Sequence, residues 1–269
     1  MTVISYKEKL TTMRNAPLKS LTKGMRSTGG RNSQGRTTNL YRGAGNKRTY
    51  RMVDFTMNKK DIPAIVESVE YDPFRSSFIA LVLYKDGERR YVIATKNMKQ
   101  GDEFIVGETV KPKEGNRLPL GAIPVGTFVS NIELKPGAGG RIARSAGNYA
   151  EIVANDAGYT QLKMPSSEIR RVISTAWATV GIVSNEEHRL VTIGKAGRAR
   201  HMGIRPKTRG SARNAVDHPH GGGEGRAPRG HRRARTKQGR ATGKGQKSRS
   251  PKKYSNTFIV ARRKVGKRG

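Results

Sequence analysis

Residues 214–226 read NAVDHPHGGGEGR and gather more chemically able side chains than any other short stretch of this 269-residue chain. Asp217 precedes His218 and His220, Pro219 stands between the two imidazoles, and Glu224 and His231 follow. An imidazole beside a carboxylate can act as an oriented general base. An H-x-H pair with nearby carboxylates can begin a metal site, which needs three or four ligands in fixed geometry. Gly221, Gly222 and Gly223 carry no Cβ, so their backbone can come close to a phosphate chain.

The first two readings are short of partners. The chain has no cysteine, so thiolate ligands, thiol nucleophiles and disulfides are excluded. No third histidine stands at a familiar metal offset, and no serine can be placed with the histidines as a nucleophile. Two other glycine-rich basic stretches, LKPGAGGRIARSAG (134–147) and RATGKGQKS (240–248), invite comparison with nucleotide-binding loops. The GK pairs at Gly194-Lys195 and Gly243-Lys244 lack the leading glycine of that loop, since Arg189 and Gln238 occupy its place. A nucleotide triphosphatase is therefore disfavoured. A metal-dependent nucleic-acid enzyme centred on His218, His220 and Glu224 stays open as a rival, with His218 the one weak catalytic candidate.

Charge names the partner class. Lys and Arg number 54 against 20 Asp and Glu, a formal net charge of +34. Residues 1–47 hold 10 basic and 1 acidic side chains, and residues 201–269 hold 21 and 2, so most of the excess lies at the two ends. A polyanion must offset such self-repulsion, and nucleic acid is its commonest form. No apolar run of membrane-spanning length appears, and no strongly amphipathic basic helix, which points away from a membrane. The ends are rich in Gly, Ser, Asn and Arg and poor in apolar anchors. They are expected not to fold alone and to order against an anion. A chromosomal architectural protein is a further rival, since DNA also attracts this charge.

The elements that must carry these arms read as strands. RTYRMVDF (48–55), IPAIVESVEYD (62–72), DEFIVGE (102–108) and IPVGTFVSNIEL (123–134) are rich in β-branched residues or alternate polar with apolar. SSFIALVLYKDGERRYVIATK (76–96) predicts a hairpin about Lys85-Asp86-Gly87, and AEIVANDAGYTQLKM (150–164) a second about Asn155-Asp156-Ala157-Gly158. The spacing predicts an all-β chain with two small barrels, over 48–122 and 123–200, between a basic N-terminal extension (1–47) and a basic C-terminal one (201–269). One helix is expected near IGKAGRARHM (193–202). Tyr50 and Phe258 read as apolar anchors, so RNA contacted through backbone and shape is favoured over single-strand stacking.

VDHPHGGGEGR (216–226) resembles the signature of the universal large-subunit ribosomal protein two family. GGRNSQGR (29–36), YRMVDF (50–55), LKPGAGGRIARSAGNYAEIVA (134–154), IGKAGRARHMGIRPKTRGSARN (193–214) and KYSNTFIVARR (253–263) resemble its bacterial type in the same order. The resemblance implies an OB-like barrel followed by an SH3-like barrel and primary binding to large-subunit rRNA in the bacterial cytoplasm, or in an organellar ribosome. It implies contact with small-subunit rRNA across a subunit bridge, neighbouring ribosomal proteins, and a tail that supports tRNA binding and the peptidyl-transferase region. It implies no cofactor beyond structural Mg2+ belonging to the rRNA, no small-molecule substrate and no membrane. The family's first motif histidine, matching His218, has a disputed proposed part in peptide-bond formation. Two departures stand out: RGAGNKR (42–48) where GGGHKR is common, and HRRARTKQG (231–239) where the family shows HPVTPWG or similar.

The rRNA contacts are expected from the basic and glycine positions of these motifs. On the first arm they are Arg31, Arg36, Arg42, Lys47 and Arg48, and in the 134–147 loop Arg141 and Arg144. Around the expected helix they are Lys195, Arg198 and Arg200, then Arg205, Arg209, Arg213 and Asn214. Within the signature they are His218, His220, Gly221 to Gly223 and Arg226. On the tail they are Arg232, Arg233, Lys252, Lys253, Arg262 and Arg263. The glycine strip is expected to lie flush on RNA, with substitutions there blocking docking and sparing the free protein.

Overall fold

The computed structural model describes residues 11–12, 17–243 and 249–263. The chain divides into two compact units. One holds residues 1–25, 48–192 and 257–269, and the other holds 26–47 and 193–256.

The described part of the first unit is built of strands with a few short 3-10 turns and contains both barrels. β1 (Thr22–Gly24) pairs antiparallel with β2 (Thr49–Arg51). β3 (Ala64–Tyr71), β4 (Phe78–Tyr84), β5 (Arg89–Ile93) and β6 (Glu103–Phe104) form the OB-like sheet in the order β5-β4-β3-β6. β4 reads FIALVLY with no polar alternation because it is covered on both sides. Phe78, Ala80, Val82 and Tyr84 face one core with Val66, Val69 and Phe104. Ile79 and Leu81 face a second with Val53, Tyr91 and Val183, closed by Leu18 and Leu21. The β4–β5 turn falls at the expected place, with Gly87 at φ +85° donating to the Tyr84 carbonyl at 2.9 Å.

The SH3-like sheet contains β7 (Arg117–Pro119), β8 (Phe128–Ser130), β9 (Ala150–Asp156), β10 (Tyr159–Lys163), β11 (Ile169–Ile173), β12 (Trp177–Val180) and β13 (Ile259–Ala261). Their order is β13-β11-β10-β9-β8-β12-β7. Ala157 (φ +46°) and Gly158 (φ +77°) join β9 to β10 as a two-residue turn with both φ positive, the hand that matches strand twist. Leu118, Leu120, Ile123, Val129, Ile132, Ile152, Leu162 and Val172 fill the core.

Two strands lie outside the segments expected from spacing. β7 precedes residue 122 yet pairs with β12, and β13 lies inside the expected C-terminal extension yet pairs with β11. A three-residue strand leaves too short a periodic trace to be assigned to a sheet from sequence. β7 also buries Arg117 completely. Its guanidinium donates to Glu133 Oε1 at 2.9 Å, the Asn131 carbonyl at 2.9 Å and Thr179 Oγ1 at 3.4 Å. Burial pulls the Arg117 pKa down and the Glu133 carboxylate opposes it.

Candidate nucleic-acid interface

The second unit carries 24 Lys and Arg against two carboxylates, Asp217 and Glu224. Its two chain segments hold one another. The Gly43 amide donates to the Gly203 carbonyl at 2.8 Å, Asn46 to His201 at 2.9 Å and Arg205 to the Tyr41 carbonyl at 2.9 Å. Tyr41 adds a side-chain tie, its hydroxyl donating to the Thr208 carbonyl at 3.2 Å and accepting from the Arg213 guanidinium. Neither arm stands alone: each orders against the other, a pairing that the expectation of ordering against an anion did not include. Composition shows how little apolar surface each has but not that a backbone ladder joins them.

Gly45 makes this approach possible. A Cβ there would lie 2.7 Å from the His201 carbonyl oxygen and 2.8 Å from the Gly203 nitrogen. Asn46, one of the family departures, contributes its backbone amide to the ladder, so that departure costs the pairing nothing. α1 (Ala196–His201) falls within the expected helical stretch and brings Arg198, Arg200 and His201 into its last turn. Lys195 is its N-cap residue. Arg31 and Arg36 sit in a short loop closed by the Arg31–Thr37 bridge and by Asn32, whose side-chain oxygen accepts the Arg36 amide at 3.0 Å. Arg42 forms a bridge with Ile204.

The signature is a compact turn. Asp217 and His218 amides donate to the Asn214 carbonyl at 3.0 and 3.3 Å, Gly221 to His218 at 2.8 Å, and Gly222 back to Arg213 at 3.0 Å. His218 Nδ1 accepts the His220 amide at 3.0 Å, and His220 Nε2 accepts the Arg235 amide at 2.9 Å. His231 Nε2–H donates to the Pro219 carbonyl at 3.1 Å. The His218 and His220 rings stand 4.8 Å apart, and those of His220 and His231 6.0 Å. An accepting ring nitrogen carries no proton, so His220 is neutral in this arrangement. His220 is held below the usual imidazole range by burial, then by His218, His231, Arg229 and Arg235.

These contacts revise the expected roles. His220 is only 8 % exposed, and its Nε2 is taken by the Arg235 amide. Gly221 turns inward, while Gly222 and Gly223 stay exposed. A Cβ on Gly221 would meet the Asn214 carbonyl oxygen at 2.2 Å and that of Arg213 at 2.5 Å, while Gly222 and Gly223 hold φ at +87° and +89°. The expectation that substitution spares the free protein is corrected at Gly221, whose close approach is to the chain's own backbone, and at Gly222 and Gly223, whose positive φ strains any larger residue. Among the described residues no three His, Asp or Glu side chains converge as metal ligands.

The second unit thus brings together Arg31, Arg36, Arg42, Lys47, Lys195, Arg198, Arg200, Arg205, Arg209, Arg213, Asn214, the signature residues, Arg226, Arg232, Arg233, Lys252 and Lys253. Arg48, Arg141, Arg144, Arg262 and Arg263 belong to the barrel unit. There Arg48 lies 4.6 Å from the Phe74 ring and donates to the Pro73 carbonyl at 3.1 Å. Arg141 and Arg144 line an open groove with Val53, Asp54 and Phe55, Arg144 lying 4.4 Å over the Phe55 ring. Burial would raise the Asp54 carboxyl, but hydrogen bonds from Thr56, Met57 and Arg90 hold it below its ordinary value. Sequence reasoning missed Arg235 and Tyr41 as scaffold. Tyr41, an aromatic next to Arg42 in the glycine-rich first arm, was the available signal, and it takes φ +63°.

Residues 18–106 match the family model "Ribosomal Proteins L2, RNA binding N-terminal domain", and residues 113–239 match "Ribosomal Proteins L2, C-terminal domain". The chain belongs to the ribosomal protein L2 family. It is 54 % identical over 251 residues to the large ribosomal subunit protein uL2 of Granulibacter bethesdensis, covering 93 % of this chain and 90 % of the relative. It is 53 % identical to that of Acidiphilium cryptum with the same coverage. The Amoebophilus asiaticus protein is 49 % identical over 248 residues, 92 % of this chain and 89 % of the relative. These likenesses agree with the OB-like and SH3-like sheets and with a ribosomal structural constituent.

Proposed function

We propose that this chain is a structural constituent of the large subunit of a bacterial, cytoplasmic ribosome and binds its rRNA through the cationic unit. The observation that carries this is the folded unit itself, with 22 cationic side chains against two carboxylates among its described residues, on a backbone held by its own arm-to-arm ladder. Counterion release from the neutralised phosphates supplies the affinity. The preformed ladder lowers the ordering entropy that binding must offset. The bacterial relatives' names support the ribosomal assignment.

The finer roles extend this reading. The barrel unit supports subunit association across a bridge to small-subunit rRNA, and neighbouring ribosomal proteins pack on it. The cationic unit supports tRNA binding and the peptidyl-transferase region, where any Mg2+ belongs to the rRNA. His218 serves as a scaffold imidazole, since its Nδ1 is already bonded to the His220 amide.

Co-sedimentation of the chain with large subunits in high salt tests the assignment. Binding to protein-free rRNA should be tighter than to duplex DNA at matched salt, with log K falling steeply as log salt rises. Equal affinity for DNA would support the architectural rival. Cleavage of naked RNA by the metal-loaded protein would support the enzymatic one.

A further inference from the structure

The segment after Gly230 departs from the family pattern, and its role does not follow from membership. HRRARTKQG folds here as a hairpin. Arg235 bridges Ala241, the Thr236 amide donates to the Arg240 carbonyl at 2.9 Å, and the Thr242 amide to Ala234 at 2.8 Å. His231, Arg232, Arg233, Arg235 and Ala241 line an open cavity on it. We propose that this cavity is a pocket for one RNA phosphodiester and that His220 is the residue that positions it.

The lining decides the ligand class. Three arginines and one histidine line it with no carboxylate among them, and the Arg235 guanidinium is anchored on the Gly239 carbonyl at 3.2 Å. Holding such charges together costs energy by repulsion, which a bound anion relieves. Planar guanidinium forks match the paired oxygens of a phosphate. Ala241 adds no bulk to its wall.

The hairpin is fixed from its base by the signature turn. The Arg235 amide donates to His220 Nε2 at 2.9 Å, and His231 donates to the Pro219 carbonyl at 3.1 Å. The first bond exists only while His220 is unprotonated at Nε2. The charged and titratable groups facing His220 are His218, His231, Arg229 and Arg235. A proton on His220 would add charge, yet it would turn the acceptor into a donor against the Arg235 amide and release the hairpin. Electrostatics alone predicts tighter RNA binding on acidification, and hairpin release predicts weaker.

The inference rests on the rRNA reading, and one titration separates the two. Full-length chain is titrated with protein-free large-subunit rRNA across a salt series. The double variant Arg232→Gln/Arg233→Gln should lower the log K against log salt slope by about one to two. His220→Ala removes no charge at neutral pH but should lower the slope by about one. His220→Gln should restore it, because an amide oxygen at the Nε2 position accepts the same bond. Gly239→Val, at φ +79° in the hairpin turn, should mimic His220→Ala without touching the signature. Moving from about a unit above to about a unit below the ordinary imidazole pKa of ~6.5 should lower the wild-type slope relative to that of His220→Gln. A steep wild-type slope that the arginine pair, His220→Ala and Gly239→Val all leave alone overturns the pocket. Tighter wild-type binding at the lower pH, matched by His220→Gln, overturns the positioning role. A flat wild-type plot overturns the rRNA reading itself.

Discussion

At the scale of single residues, the signature does structural work with groups that looked catalytic. His218 accepts through Nδ1 and His220 through Nε2, so different amides replace them best. Asparagine mimics the first acceptor and glutamine the second. Ribosomes carrying His218→Asn are expected to assemble and form peptide bonds at the normal rate. A slower chemical step with intact assembly would restore a catalytic part for this imidazole. For Gly221→Ala we expect about 1–3 kcal/mol of local destabilisation from overpacking against Asn214 and Arg213. Faster amide exchange at Gly221 and Gly222 in the free protein, with the barrels unchanged, is the readout. The sequence made these residues conspicuous but could not say what they face. Composition predicts a close approach to something, and only the fold shows that the something is residues 213 and 214.

At the scale of elements, hairpins were legible and isolated short strands were not. Gly87 and the Ala157-Gly158 pair announced their turns because positive φ restricts residue type. β7 gave no such signal, and its Arg117 reads as a solvated charge until Glu133 and the Asn131 carbonyl are found around it. Replacing Arg117 by methionine should cost about 3–5 kcal/mol, because Glu133 is left buried and unpaired. Thermal unfolding of the chain measures this. The His220 contact with the hairpin makes a separate prediction. Its folded pKa lies below the unfolded value, so its stabilising bond is fully present above about pH 6.5 and weakens as pH falls below it. Protection of the Arg235 amide against exchange, relative to its intrinsic rate at each pH, should fall over that window, and His220→Gln should abolish the change.

At the scale of the whole chain, the two basic ends are not equivalent appendages. Part of each joins the cationic unit, and the last described strand returns to the SH3-like sheet. Removing residues 201–269 therefore strips β13 from β11, and the barrel's melting temperature should fall. Excising 201–256 behind a linker that keeps β13 should spare it while removing most of the salt dependence of RNA binding. Removing 26–47 alone should unlock residues 201–205, seen as faster amide exchange at Gly203 and Arg205. Charge counts and strand spacing gave the class of partner and the two β-domains. They carry no information on pairing between segments that lie far apart along the chain.

That distance has a kinetic consequence. Tyr41 and Thr208 are 167 residues apart in sequence. A nascent chain can complete most of the OB-like sheet from contacts between near neighbours, but residues 26–47 must wait until the ribosome making them has finished the segment they pair with. Non-local contacts of this kind form late and slowly. The first cationic arm therefore emerges long before its ladder can close, exposed to any polyanion nearby and to whatever escort the cell supplies, and its folding is tied to the last stage of its own synthesis.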